Sequence, residues 1–155
     1  MKKNLITYII ILSIFIFTKT NAELIKPSSS IEPYKVVKIQ LTSLMKNNYP
    51  KKDTGIEQTW QFAHPNNQRY TGPLEKFKIM LKGDSYKMLL NHLDHKIVVV
   101  QIGNEFADYE VTVLDAEKKY YKFNWRVEKY QLEGDLKNCW LTTMVSQPIS
   151  LGSSI

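Results

Sequence analysis

Residues 119–129 read KYYKFNWRVEK, and this stretch decides the fold because its side chains alternate more regularly than any others in the chain. The odd positions from 121 to 127 are aromatic or aliphatic, and the even positions between them are charged or polar. A period of two is typical of a β-strand with one buried face and one face in water. We therefore predict a strand whose inward face carries Tyr121, Phe123, Trp125 and Val127.

Three further strands are predicted around this one, and short turns separate them. Residues 107–115, ADYEVTVLD, alternate in the same way. Residues 96–103, KIVVVQIG, are apolar at consecutive positions, which favours a central strand with both faces buried. Residues 139–146, CWLTTMVS, form the last strand. Because short turns join antiparallel neighbours, we predict a curved four-stranded antiparallel meander sheet with a largely aromatic inner face.

Three helices are predicted before the strands, where apolar residues recur at helical spacing. The first begins at Pro33 and the second begins at Thr54. The third follows Thr71–Gly72, has Pro73 in its first turn, and is ended by residues 82–84. A short helical turn is expected over residues 86–90. Helices that cover one face of an antiparallel meander make an α+β fold, and a curved sheet closed on one side by helices leaves a conical pocket.

The second helix carries a specific start signal. Residues 54–57, TGIE, match a capping box, in which the Thr54 hydroxyl accepts a hydrogen bond from the amide of Glu57. The Glu57 side chain then reaches back to the first residue of the motif. Pro65 is expected to end this helix, because the residue before a proline avoids helical backbone angles.

Residues 1–22 have the three regions of a secretory signal peptide. Two lysines precede an uncharged apolar run, and the segment ends with small residues at Thr20 and Ala22. The run is shorter than the roughly 20 residues that a membrane span needs. We expect cleavage after Ala22, export to a periplasm or the exterior, and no membrane span in the mature chain. The remaining parts are a flexible lead-in (23–32), a single domain (33–147) and a tail (148–155).

Composition narrows the range of partners. The full chain has a formal net charge of +6, but three of its lysines lie in the leader, so the mature chain carries +3. The only arginines are Arg69 and Arg126. Nucleic-acid binding is not expected, because no basic stripe interleaved with aromatic residues is present. Cys139, the only cysteine, cannot form an internal disulfide, and its apolar surroundings favour a buried, inert thiol.

Four blocks carry a resemblance to a known family: YKVVKIQLTSLMKNN (34–48), DTGIEQTWQFAHPNNQRYTGPLEKFKIML (53–81), YKMLLNH (86–92) and CWLTT (139–143). Together they resemble the bacterial family called domain of unknown function 4864. The resemblance implies a cone-shaped, cystatin-like α+β fold, similar to that of nuclear transport factor two, SnoaL-like cyclases and ketosteroid isomerases. Such folds host enzymes, ligand binders and dimerisation modules alike, and the family implies no particular activity.

Two positions depart from the pattern of that family. His64 stands where the family usually has a small residue, and Met144 follows the final threonine where the family tends to have an acid. If that acid is catalytic in the family, this chain lacks the group.

Residues 62–77, FAHPNNQRYTGPLEKF, supply most of the candidate site residues. The stretch is either a structural connection, with a turn at Asn66–Asn67 and a helix cap at Thr71 or Gly72, or the rim of a pocket. Its length favours a functional role, because connections between helices are usually shorter. Combined with inward-facing aromatics and polar groups elsewhere, the predicted binding residues are Trp60, Phe62, Asn67, Arg69, Tyr70, Thr71, Tyr86, His92, Tyr121 and Trp125.

Metal binding and catalysis are less favoured. His92 and His95 have the spacing of two ligands on one helical face, but a strand that starts at His95 would separate their rings, so we predict no metal and no cofactor. No carboxylate stands on the apolar face of any predicted strand, although an isomerase would need such a base. Asp84 and Asp94 are the acids nearest to a predicted rim.

Three functional hypotheses remain open from the sequence. The first is an exported binding or accessory protein with an apolar pocket for a small ligand, or with a homodimer formed through the sheet. The second is a cofactor-free isomerase-like or cyclase-like enzyme that uses His92 or a tyrosine–carboxylate pair. The third is an envelope protein–protein interaction module whose contact surface is the sheet face.

Overall fold

The computed structural model describes residues 23–153, so the predicted signal peptide and its cleavage site lie outside the described residues. Helices come first in the chain and strands follow, as predicted, and the fold class is α+β. The helices are α1 (Pro33–Met45), α2 (Thr54–Gln61), α3 (Pro65–Thr71) and α4 (Leu74–Lys82), followed by a 3-10 turn at Lys87–Leu89. The strands are β1 (Asp94–Ile102), β2 (Phe106–Leu114), β3 (Lys119–Lys129), β4 (Trp140–Val145) and β5 (Ile149–Ser153).

The sheet is antiparallel and has five strands rather than the predicted four. Its order is β1-β2-β3-β4, and β5 also pairs with β3. Both late strands lie on the same side of β3, since β5 pairs with residues 119–122 and β4 pairs with residues 125–129. Residues Ile149–Ser153, which lie in the predicted tail over 148–155, form β5. The reason is that β4 covers only half of β3, which leaves backbone groups for a second short strand.

The alternation in β2 and β3 was predicted correctly. Four inward residues of β2 and three of β3 are almost fully buried: Ala107, Tyr109, Val111, Val113, Phe123, Trp125 and Val127. Tyr121, which was also predicted to face inward, is only half-buried at the beginning of β3. The outward face of these strands is polar and is tied by Arg126 to Asp108 and by Lys122 to Glu110.

Helix α1 lies across the inner face of the sheet and supplies one side of the core. Its side chains Val37, Leu41 and Leu44 are completely buried against the inward residues of the sheet. Full burial of one such side chain contributes about 1.5–3 kcal/mol to stability. The lead-in before α1 is joined to α2 by two hydrogen bonds between the backbone of Ile25 and the side-chain amide of Gln58, each 2.7 Å long.

The start of α2 differs from the predicted capping box. The Thr54 hydroxyl donates to the carbonyl of Lys51 at 2.8 Å, and Glu57 pairs with Lys78 at 3.2 Å instead of reaching back. The cap comes from the end of α1, where Asn47 Oδ1 accepts from the amide of Ile56 at 3.0 Å. The tertiary contact with α1 has replaced the local cap.

A close approach between α1 and α2 makes this cap possible. Gly55 lies so near to α1 that an added Cβ would be 2.1 Å from the carbonyl oxygen of Ser43. Any other residue at this position would push the two helices apart.

The position of β1 in the sheet was predicted wrongly. The strand was predicted to be central, but it lies at the edge of the sheet, and within residues 23–153 it pairs only with β2. Val98, Val99, Val100 and Ile102 are between 41% and 65% exposed. The apolar run indicates a strand that is hydrophobic on both faces. It does not indicate how many other strands of the same chain pair with it.

Candidate functional site

The connection at residues 62–77 contains a helix, α3, rather than the predicted loop. Pro65 ends α2 as expected but is also the first residue of α3, a position that suits proline because its missing amide has no partner there anyway. His64 caps this helix, with Nδ1 accepting from the amide of Asn66 at 3.1 Å. The predicted turn at Asn66–Asn67 is therefore wrong.

The outer edge of β4 is covered by α3 and by two residues that precede it, Phe62 and His64. The amide of Thr142 donates to the carbonyl of Phe62 at 2.7 Å, and the amide of His64 donates to the carbonyl of Thr142 at 2.9 Å. Asn67 Nδ2 adds hydrogen bonds to the carbonyls of Thr142 at 3.1 Å and Thr143 at 2.8 Å. Backbone groups that would otherwise be exposed at the edge are thus paired within the chain.

A cavity of about 270 Å³ lies behind this closed edge, between the helices and the inner face of β3 and β4. Its position agrees with the conical pocket that a curved sheet and covering helices are expected to leave. Most of its wall is apolar and consists of Leu44, Ala63, Phe77, Met80, Leu81, Leu89, Trp125, Met144 and Val145.

A hydrogen-bonded chain forms the polar base of the cavity. Gln40, which is 1% exposed, donates from Nε2 to the carbonyl of Thr59 at 3.1 Å. Its Oε1 accepts from the hydroxyl of Thr142 at 2.6 Å. That hydroxyl accepts in turn from Trp125 Nε1 at 3.3 Å. The chain satisfies the three buried side chains and fixes the indole ring of Trp125 against the cavity.

Further polar groups lie around the cavity wall. The Tyr86 hydroxyl donates to the carbonyl of Val145 at 3.3 Å, and burial raises the pKa of Tyr86. The Thr71 hydroxyl donates to the carbonyl of Asn67 at 2.7 Å. Among the described residues, nothing donates a hydrogen bond to Asn67 Oδ1, and the buried hydroxyl of Thr143 has no partner. These two atoms retain hydrogen-bonding capacity.

The lining residues, all of which lie in the described part of the chain, include no carboxylate, imidazole, thiol, ammonium or guanidinium group. Tyr86 is their only titratable side chain, and its raised pKa keeps it protonated at neutral pH. General acid–base catalysis needs a group with a pKa close to the working pH. The cavity can therefore enclose a neutral molecule, but its wall offers no such group.

Four of the ten predicted site residues line this cavity: Asn67, Thr71, Tyr86 and Trp125. The other six lie elsewhere. Trp60 packs on the ring of Phe77 with centroids 4.9 Å apart, and Phe62 is fully buried core. Arg69 donates to Asn66 Oδ1 at the surface, and Tyr70 is 84% exposed. Tyr121 lies at the beginning of β3 and His92 in the turn before β1.

The polar residues Gln40, Thr59, Thr142 and Thr143 were missed. One signal was available, because Gln40 interrupts the apolar stripe of α1 between Val37 and Leu41. A polar residue on a buried stripe needs hydrogen-bond partners, and here those partners form the base of the cavity. Thr142 gives no comparable signal, since threonine is common in strands whatever it contacts.

His92 has a structural role in the turn that leads into β1. Its Nδ1 lies 2.7 Å from the carbonyl of Leu89, and its Nε2 lies 2.8 Å from Nδ1 of His95. The rings are thus in contact, and the prediction that the strand separates them is wrong. Since a carbonyl can only accept, His92 carries its proton on Nδ1 and accepts from His95. Burial lowers the pKa of both histidines, which favours this neutral pair.

Residues 23–153 contain no group of three or more histidine, cysteine or acidic side chains that is placed to hold a metal ion. Within the same range, no helix has both the length and the apolar character needed to cross a bilayer.

Comparison with known proteins adds no identity: no family model, no curated protein and no solved structure matches this chain at a significant level.

Proposed function

We propose that the protein is an exported small-ligand-binding protein whose cavity takes a neutral molecule with an apolar body. The observation that carries the proposal is the cavity of about 270 Å³, with an apolar wall and no ionisable lining group except Tyr86. Ligand sites are typically concave and mostly apolar, with a few placed polar groups. A charged ligand would lose its hydration there without gaining a counter-ion.

The size of the cavity limits the ligand. Its volume corresponds to roughly nine water molecules at about 30 Å³ each. It is therefore slightly smaller than most small-molecule sites, which have volumes of about 300–1,000 Å³. We expect a compact molecule, such as a single ring or a short branched chain, rather than a long acyl chain.

The polar groups of the wall indicate how such a ligand would be oriented. Gln40 and Thr142 already satisfy each other, so they offer little to a ligand. One free acceptor is Asn67 Oδ1, because both described hydrogen bonds of this side chain come from Nδ2, and the hydroxyl of Thr143 is a second. A ligand hydroxyl or amide that donates to Asn67 Oδ1, with its apolar part against Trp125, would use the cavity best.

The export part of the proposal rests on the leader pattern of residues 1–22. An exported binding protein meets its ligand outside the cytoplasm, so purification from cytoplasmic expression would not load the cavity. The test therefore needs protein that has been processed by an exporting host.

The experiment is native mass spectrometry on protein secreted by such a host, compared with the same sample after denaturation. We expect an additional small mass that is released on unfolding. Met80→Trp, which fills the cavity from α4, should abolish this mass. The matched control Ile79→Trp places the same ring on the exposed side of α4 and should retain it.

Two results would count against the proposal. One is a clean protein mass from gently handled secreted material, together with no binding of small neutral apolar compounds in a thermal-shift series. The other is a bound mass that Met80→Trp and Ile79→Trp retain equally, because the ligand would then lie outside the cavity. The denatured mass also reports whether residues 1–22 have been removed.

A further inference from the structure

The outer edge of β1 is an unpaired sheet edge in the described part of the chain. β1 pairs with β2 on one side, and no other described element exchanges backbone hydrogen bonds with residues 94–102 on the other side. The strand has nine residues, contains no proline, and carries a single irregularity between Val99 and Gln101. Exposed edges of this kind pair readily with further strands unless charges, prolines or bulges prevent it.

The side chains along this edge are apolar. Val98 faces outward beside Glu110, whereas Val99 lies opposite the inward residue Tyr109. Both are close to half-exposed, so the strand presents hydrophobic surface on both of its faces. Soluble proteins seldom leave both faces of a long edge strand uncovered.

We propose that β1 is a homodimer interface, in which β1 pairs antiparallel with β1 of a second copy and joins the two sheets into one. Open backbone groups at an edge require an extended strand as their partner, and each molecule carries such a strand in the same place. A two-fold axis through the edge pairs the same surface on both copies, which closes the assembly at two.

The charges along β1, together with its irregularity, favour one position of the axis. An axis at Lys96 would place the two lysines opposite each other, and like charges directly opposite are destabilising. An axis at Ile97 pairs Lys96 with Val98 and Asp94 with Val100, so no like charges meet. That axis also keeps the closest pairs within residues 94–99, before the irregularity at Val100 interrupts the register.

The outer face of the sheet does not compete with this edge as an interface. Two ion pairs bridge neighbouring strands on this face, with Arg126 Nε 2.6 Å from Asp108 and Lys122 Nζ 3.1 Å from Glu110. The aromatic inner face of the sheet is covered by the helices. The contact through the edge therefore replaces the contact through the face, and it does not depend on the ligand-binding proposal.

The test is sedimentation velocity on the secreted protein over a wide range of concentration, with opposite charges placed at position 98. Val98→Lys faces Lys96 of the second copy and should raise the dimer dissociation constant roughly tenfold or more. Val98→Glu faces the same lysine and should retain the dimer. Asn124→Lys adds a charge on the exposed outer face of β3 and serves as the control, because it should not change the dimer.

Stability of the single chain separates this effect from a folding defect. Val98 neighbours Glu110 on β2, so Val98→Lys should stabilise the monomer slightly and Val98→Glu should destabilise it. Val98→Lys should therefore weaken the dimer while raising the unfolding midpoint of the monomer, and Val98→Glu should retain the dimer while lowering that midpoint. A protein that stays monomeric at every concentration overturns the proposal, as does a dimer that both variants weaken equally or leave unchanged.

Discussion

The outer edge of β4 is covered by the chain itself, whereas the outer edge of β1 is bare. At β4, Phe62, His64 and Asn67 supply hydrogen-bond partners to the backbone of Thr142 and Thr143. At β1, the described residues supply none along the outer edge. The covered edge encloses the cavity, and the bare edge carries exposed valines. If both proposals hold, ligand binding and self-association use opposite edges of one sheet.

The largest expected effect is a difference in stability between the two edges. Leu141→Ala on β4 removes a completely buried side chain and should lower the free energy of unfolding by about 2–5 kcal/mol. Ile102→Ala on β1 removes a side chain of the same size that is more than half exposed, and it should cost less than about 0.5 kcal/mol in the monomer. Urea denaturation at low protein concentration measures both values.

Equal losses in the free energy of unfolding for Leu141→Ala and Ile102→Ala would contradict the difference between the two edges. If Ile102→Ala destabilises as strongly as Leu141→Ala, a part of the chain must cover β1. Because Ile102 lies beyond the residues 94–99 that the proposed dimer pairs, the cost of Ile102→Ala should stay the same when the urea titration is repeated at high concentration.

The second prediction concerns the polar base behind the covered edge. Thr142→Val retains the shape of the side chain but leaves Gln40 Oε1 and Trp125 Nε1 without a partner. The expected cost is about 1–3 kcal/mol, because buried polar groups lose their hydrogen bonds. Thr112→Val, the same change on the half-exposed outer face of β2, should stay within about 0.5 kcal/mol.

A double-mutant cycle tests whether the network acts as a unit. Gln40→Met in the Thr142→Val background removes one of the two unpaired groups, so the double variant should lose less than the sum of the single losses. Strict additivity would mean that the hydroxyl of Thr142 and the amide of Gln40 do not depend on each other.

How far the sequence predicts this architecture depends on whether the deciding contacts are local. The inward faces of β2 and β3 follow from alternation alone, because each strand has one face against the core. The position of β1 could not be predicted, since an apolar run describes the surfaces of a strand and not its neighbours. Asn67 and Thr142 are separated by 75 positions, and no local pattern links them. A proline can follow the end of one helix or begin the next, and the sequence does not distinguish the two roles. Pro65 does both, because α2 ends before it and α3 begins with it.

The third prediction addresses the turn that leads into the bare edge. Burial lowers the pKa of His92, whose surroundings also include His95 and the carboxylate of Asp94. The folded chain therefore binds this proton less readily than the unfolded chain, for which the pKa is about 6.5. Stability contributed by the neutral ring is complete above that pH and is lost as the pH falls through it towards the lowered value.

The measurement is the urea midpoint as a function of pH. The midpoint should decrease as the pH is lowered from about 7.5 to about 5, and His92→Gln should flatten this decrease. His64→Asn is the matched control, because asparagine also caps helices and the pKa of the more exposed His64 is lowered as well. If His64→Asn reduces the pH dependence of the urea midpoint more than His92→Gln does, the responsible histidine is His64, at the covered edge of β4.

The smallest expected effect compares two residues on α3 that sequence analysis placed in the same site. Asn67→Ala removes the amide that donates to the carbonyls of Thr142 and Thr143 and should cost about 1 kcal/mol. Arg69→Ala removes an exposed side chain whose described contact is with Asn66, so stability should change by less than about 0.5 kcal/mol.

The same pair of variants should differ in ligand retention as well as in stability. Asn67→Ala removes the Oδ1 acceptor of the cavity wall and should release the bound mass, whereas Arg69→Ala should retain it. If Arg69→Ala releases the ligand while Asn67→Ala retains it, the site lies on the outer side of α3, and the covered edge of the sheet would then have a purely structural role. If both variants retain the ligand, the apolar wall around Trp125 is sufficient for binding, and the ligand needs no hydrogen-bond donor.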